Sequence, residues 1–127
     1  IALTPWSPLS RGILAGSYQG GFGGGSTRRS KGADRQRTES LYRGEMDFQI
    51  AERVVEVAGR YGRTPAQIAI AWLLSKPAVT SPIVGVSRVE QLDQLLAAAE
   101  IQLDAADVTY LEDLYRPVEN LLSLGFS

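Results

Sequence analysis

The residues best suited to chemistry lie in two short stretches. In one, Gly85 follows an apolar run, Pro82-Ile83-Val84, and Ser87-Arg88-Val89-Glu90 opens a helical pattern. Ser87 with Glu90 three residues later predicts a capping box, Ser87 being the N-cap. A helix that starts just past a strand end presents unpaired N–H groups and a partial positive charge. Gly85 lets the backbone turn, or approach a ligand, without a Cβ in the way. Arg88 adds a planar charged fork suited to phosphate. Together these make an anion seat, although the same pattern is also the ordinary way to join a strand to a helix. In the other stretch, Trp6 stands among the turn formers Pro5, Ser7, Pro8, Ser10 and Gly12. That setting suits a wall for a flat ring, and equally a large core residue at a strand end.

Composition removes several alternatives. The chain has neither cysteine nor histidine, so disulfides, thiol chemistry, a His general base and His-based metal sites have no residues to build them. No metal-ligand spacing of carboxylates occurs in the helical patterns. The net charge of −1 points to neither nucleic acid nor an acidic membrane. No G-x-x-x-x-G-K-[ST] is present. The glycines at Gly20, Gly21, Gly23, Gly24 and Gly25 lack the strand and helix that frame a dinucleotide fingerprint. No apolar run is long enough to span a bilayer, and a cytoplasmic location is the default expectation. The chain opens at Ile1 with residues typical of a fold interior, so it reads as a piece of a longer protein.

The elements that must position these residues follow from periodicity. Ile1 to Thr4 and Pro82 to Val84 read as buried strands. Ile13 to Gly16 suggests one helical turn. Ser17 to Gly44 reads as a long irregular loop, glycine-rich at first and then basic, with Arg28, Arg29, Lys31, Arg35, Arg37 and Arg43. Such a loop is either a lid, a disordered segment or a solvated face, and its basic part has no aromatic interleaving of the kind nucleic-acid binding uses. Asp47 to Arg60 predicts a helix burying Phe48, Ala51, Val54, Val55, Ala58 and Tyr61, closed by Gly62. Thr64-Pro65-Ala66-Gln67 predicts a second capping box, for a helix ending near Lys76-Pro77. A last helix follows Asp104-Ala105-Ala106-Asp107, with Val108, Leu111, Leu114 and Tyr115 inward. The tail, 117–127, is apolar and unpatterned. Strands alternating with helices predict an α/β chain with parallel pairing. Two parallel strands alone would expose long edges, so the isolated chain is expected to fold poorly.

Three segments together resemble one family. Thr4-Pro5-Trp6-Ser7-Pro8-Leu9-Ser10-Arg11-Gly12-Ile13-Leu14-Ala15-Gly16 is similar to the seventh-strand segment of aldo-keto reductases. Thr64 to Leu74 is similar to the helix before their eighth strand, and Ser81 to Leu92 to that strand and its cofactor-binding turn. The three segments come in the family's order and together cover nearly the whole chain. The resemblance implies a (β/α)8 TIM barrel, of which residues 1–127 would be the C-terminal portion: strands seven and eight with their helices, the loop 17–44 and the tail 117–127. It implies NADPH (NADP+) as cofactor, with Trp6 stacking on the nicotinamide ring. Ser7, Leu9, Ser10 and Gly12 would line the pyrophosphate, and Gly85, Val86, Ser87 and Arg88 would hold the adenosine phosphate, Arg88 taking a 2′-phosphate. Gln91 and Gln94 would lie near the adenine. The basic, glycine-rich loop would sit where the family folds a loop over the cofactor. Many members carry Asn where this chain has Leu95, and another branch carries Lys-Ser where it has Gly85-Val86.

The implied activity is reduction of aldehydes or ketones to alcohols, with a small carbonyl substrate as the other partner. No residue of the chain matches the family's Asp, Tyr, Lys and His tetrad, so no catalytic residue and no metal ligand is assigned, and the piece alone is expected to be inactive. A different class of reading is a non-catalytic nucleotide-binding module of the potassium-channel β-subunit type; a third is an inactive truncated product. Charge and patterning lead to the expectation of no nucleic acid and no membrane as partners, and the oligomeric state stays open.

Overall fold

The computed structural model describes residues 1–18, 32–42 and 44–117. Its long helices carry the core. Helix α2 (Glu45–Tyr61) and helix α3 (Pro65–Leu74) pack along each other, and helix α5 (Ala105–Glu112) closes over α2. Val54, Val57 and Ala58 of α2, Ile68 and Ala69 of α3, and Leu111 of α5 form the buried cluster. Val57, outside the stripe expected from periodicity, is completely buried. It belongs to the cluster that α2 shares with α3 and α5.

Local chemistry explains the helix ends. Thr64 is the N-cap of α3: its hydroxyl accepts from the Gln67 N–H at 3.3 Å, and the Gln67 side chain accepts from the Thr64 N–H at 3.0 Å. Pro65 occupies the first helical position, where no N–H is needed. Gly62 ends α2 in the left-handed region, as expected. Helix α2 starts two residues earlier than Asp47, whose carboxylate instead accepts from the Gly44 N–H at 3.3 Å. Asp104 is the N-cap of α5 but makes no side-chain cap bond, and Asp107 is turned to an ion pair with Arg60.

Polar side chains finish the α2–α5 seam. The Tyr110 ring lies under two guanidinium groups, with Arg53 at 4.2 Å and Arg60 at 5.0 Å from its centroid. Its hydroxyl donates to Glu56, which holds the phenol proton more tightly and raises its pKa. Arg53 also pairs with Asp113. At the far end of α3, Glu112 accepts from Trp72 Nε1 at 2.7 Å and pairs with Lys76, and these bonds hold its carboxyl below the usual range.

Three expectations are corrected. The second half of the loop 17–44 is helical: helix α1 (Gly32–Leu41) fills it. It carries no amphipathic stripe to reveal it, and its fixed points are tertiary and local polar bonds. Arg11 Nε donates to the fully buried Thr38 hydroxyl at 3.1 Å, and Arg35 pairs with Glu39 one turn on. Residues 19–31 and Arg43, with the glycine cluster and Arg28, Arg29 and Lys31, lie outside the described residues, as does the tail from 118.

The apolar runs do not form extended, buried strands. Among the described residues they make two isolated parallel bridges, Leu3 with Val79 and Trp6 with Ile83. Leu3 N–H donates to the Ala78 carbonyl, Thr80 N–H to that of Leu3, and Ile83 N–H to that of Pro5, at 2.8–2.9 Å. Pro5 and Pro82 supply no N–H to lengthen the ladder. Leu3 and Ile83 remain exposed, since no further strand lies against them among the described residues. Parallel pairing is nonetheless the geometry found.

The helix after Gly85 starts one residue later than expected. Helix α4 (Val89–Leu96) has Arg88, in extended backbone, as N-cap, so the third helical residue is Gln91 and not Glu90. Gln91 Oε1 accepts from the Ser87 N–H at 3.0 Å and from its hydroxyl at 3.1 Å. The Ser87–Glu90 box does not form. A 3-10 turn, Ala97–Glu100, leads out of α4 and buries Ala98 against α3. Among the described residues, no helix is long and apolar enough to cross a membrane.

Candidate nucleotide site

The bridge between Trp6 and Ile83 joins the two stretches singled out by their chemistry. Gly85 lies two residues beyond Ile83, within about 7 Å of extended chain. Trp6 is 73% exposed. The indole is an uncovered face beside the seam and lies outside the described buried cluster, as do its seam neighbours Leu3 and Ile83.

The backbone after Trp6 is unusual. Ser7, Ser10 and Arg11 have φ of 54°, 49° and 57°, and Gly12 has φ of 102°. Left-handed conformations at non-glycine residues are uncommon and gather at functional sites. Two tight turns hold them, Ser10 N–H to the Ser7 carbonyl and Gly12 N–H to the Leu9 carbonyl, both at 2.9 Å. Gly12 has a steric reason as well, because a Cβ there would stand 3.3 Å from the Ser17 hydroxyl oxygen. The expected single turn at Ile13–Gly16 is a 3-10 segment, Ser10–Ala15, broken at Arg11 and Gly12 and closed by Gly16 in the left-handed region. Leu9 and Leu14 pack on the helical core and Ile13 is buried, so this loop is pinned from beneath. Arg11 reaches across to α1 through Thr38, a tie that no local sequence signal announces.

On the other side of the seam, Gly85, Val86, Ser87 and Arg88 are all exposed. A Cβ on Gly85 would meet nothing within 4 Å, and its φ is outside the left-handed region, so the turn itself does not require glycine. The open space lies over the backbone, where a ligand can approach. Arg88 has no ion-pair partner among the described residues. Its side chain makes no cap bond, which leaves the guanidinium for an anion at the start of α4. Gln91 is engaged with Ser87 and orders the turn. The Gln94 side chain is exposed, while its carbonyl accepts a hydrogen bond from Gln67 Nε2 at 3.0 Å. The seam thus brings an uncovered ring, turns in left-handed backbone, an open glycine backbone and a cation without an ion-pair partner among the described residues into one neighbourhood.

A sequence model described as Aldo/keto reductase family matches residues 1–116. The chain belongs to the aldo/keto reductase family. It is 40% identical over 123 residues to a putative aryl-alcohol dehydrogenase of Schizosaccharomyces pombe, covering 93% of this chain and 32% of that protein. It is 35% identical over 124 residues to a versiconal hemiacetal acetate reductase of Aspergillus parasiticus, covering 92% and 33%. It is also 33% identical over 97 residues to a putative voltage-gated potassium channel subunit beta of S. pombe, covering 76% and 28%. The chain thus spans about a third of the length of the curated relatives it matches. Membership implies the (β/α)8 barrel fold of the family. Within that class, the described residues are mostly helical, with two parallel bridges at the seam.

Proposed function

We propose that this chain is the cofactor-holding part of an NADPH-dependent reductase that converts aldehydes or ketones to alcohols. The observation that carries the reading is the parallel pairing of Trp6 with Ile83, which sets an exposed indole beside the segment leading into Gly85 and Arg88. On this reading residues 1–127 supply the seventh and eighth strands of a barrel with their helices, and the site lies at the carboxyl ends of those strands, as is general for such barrels.

Trp6 stacks on the nicotinamide ring, and Ser7, Leu9, Ser10 and Gly12 line the pyrophosphate. Gly85, Val86, Ser87 and Arg88 take the adenosine phosphate, Arg88 offering paired N–H donors to a 2′-phosphate. Gln91 holds the Ser87 turn beneath that phosphate, and Gln94 borders the adenine. The cofactor, when bound, supplies the hydride. The chain's own residues bind and orient it, and exclude water from one ring face. The proton for the developing alkoxide comes from outside these residues, because none of them matches the family's tetrad.

A second reading, a nucleotide-binding module without turnover that associates with a partner protein, draws on the 33% identity to the putative channel β subunit. Both readings predict cofactor binding, and turnover of an aldehyde by the complete barrel separates them. The test of the site is titration with NADPH and NADH by nucleotide fluorescence. Saturable NADPH binding is expected, weakened roughly tenfold or more in Arg88→Ala with NADH little changed, since hydrogen bonds to a charged group are worth about 1.5–3 kcal/mol. Absence of saturable binding to the native protein would sink the reading.

A further inference from the structure

Helix α4 raises a question of support. Its N-terminus presents Arg88 and the Ser87 turn, yet none of its own residues is buried. Leu92 and Leu96 are exposed along an open apolar groove shared with Ile70 and Leu74 of α3. A helix seated this loosely needs another constraint if its first turn is to meet a phosphate in one geometry.

Gln67 supplies one. It lies in the first turn of α3 and is only 7% exposed. Its oxygen accepts from the Thr64 N–H, which completes the α3 cap. For that task a glutamate at this position serves as well as a glutamine. The nitrogen of the amide is therefore additional to the cap, and it donates to the Gln94 carbonyl in the last turn of α4 at 3.0 Å. Among the described residues this is the one side-chain hydrogen bond between α4 and another helix. A fixed carbonyl at Gln94, six residues and about 9 Å along the helix from Arg88, constrains both the axial position and the rotation of α4.

We infer that Gln67 is a positioning residue for the nucleotide site: through the Gln94 carbonyl it holds α4 so that Ser87 and Arg88 meet the cofactor phosphate. This rests on the cofactor reading above. One buried amide therefore serves two helices, capping α3 with its oxygen and seating α4 with its nitrogen.

The test compares the native full chain with Gln67→Glu and Gln67→Met, by hydrogen exchange and by NADPH titration. Gln67→Glu keeps the acceptor for Thr64 and loses the donor to Gln94; Gln67→Met loses both without adding charge. In Gln67→Glu the amides of residues 87–96 should exchange roughly tenfold faster while those of α2 and α3 keep their protection. The dissociation constant for NADPH should rise by a similar factor in both variants. Unchanged α4 exchange in both variants would overturn the inference. So would native-like NADPH affinity in both variants when the native chain binds normally, since Gln67 would then steady α4 without positioning the cofactor. A native chain that does not bind NADPH would instead bring down the cofactor reading, and the inference with it.

Discussion

Trp6→Ala separates a ligand-facing aromatic from a core aromatic. Tryptophan side chains bury up to about 250 Å² when covered. With Trp6 73% exposed, the side chain conceals at most about 70 Å², worth about 1.7 kcal/mol at about 25 cal/mol per Å². The pairing with Ile83 uses backbone atoms, namely Ile83 N–H and the Pro5 carbonyl at 2.8 Å, so the substitution leaves it intact. Stability should therefore fall by no more than about 1.7 kcal/mol. Stacking of a flat ring on an aromatic side chain contributes about 1–3 kcal/mol by alanine substitution, or a rise in Kd of roughly 5- to 150-fold. The assay is a fluorescence titration with NADPH beside a urea unfolding curve on the same preparations. The expected pattern is a large loss of affinity with a small loss of stability. A variant with native affinity would refute the stacking role. A variant destabilised by about 3–5 kcal/mol, the range for an aromatic removed from a core, would return Trp6 to the interior.

Two further predictions concern the scaffold. Ile68 is fully buried among Val54, Val57, Ala58 and Leu111, so Ile68→Ala should lower the unfolding free energy by about 2–5 kcal/mol; a urea midpoint within error of the native one would show that the cluster collapses around the gap. Lys76, and then Trp72, hold the Glu112 carboxyl below its ordinary range, so the unfolded chain binds the proton more readily. The resulting stabilisation is present above the ordinary carboxylate range and lost as pH falls through the depressed value. Because the pair is partly exposed, it amounts to about 1 kcal/mol or less, and Glu112→Gln should flatten that part of the urea midpoint's fall as pH drops below the ordinary carboxylate range; an unaltered profile would argue against the Lys76 and Trp72 bonds.

The sequence by itself determined the features whose physics is local. The cap at Thr64–Gln67, the proline after it and the glycine stop at Gly62 depend on neighbours within a turn, and all three stand as read. The helical stripe of α2 was legible because 3.6-residue periodicity survives without a partner, though Val57 shows that the partner decides how wide the stripe is. The parallel relation of the two apolar runs also followed from the order of the elements.

Most of what tertiary structure alone decided turns on contacts between residues distant in the chain, while the start of α4 was settled by a competition between neighbouring side chains. Helix α1 has no stripe, and it is tied by Arg11 to Thr38, 27 residues away. Trp6 read as a wall or a core residue, and only the packing shows that it lies outside the helical cluster. The one-residue shift that makes Arg88 the N-cap of α4 hands the turn at Ser87 to Gln91. Gln67 read as half of a capping box, and its second hydrogen bond needed the carbonyl of Gln94, again 27 residues on. Short-range hydrogen bonds are written in residue spacing; long-range ones exist only once packing has brought their partners together.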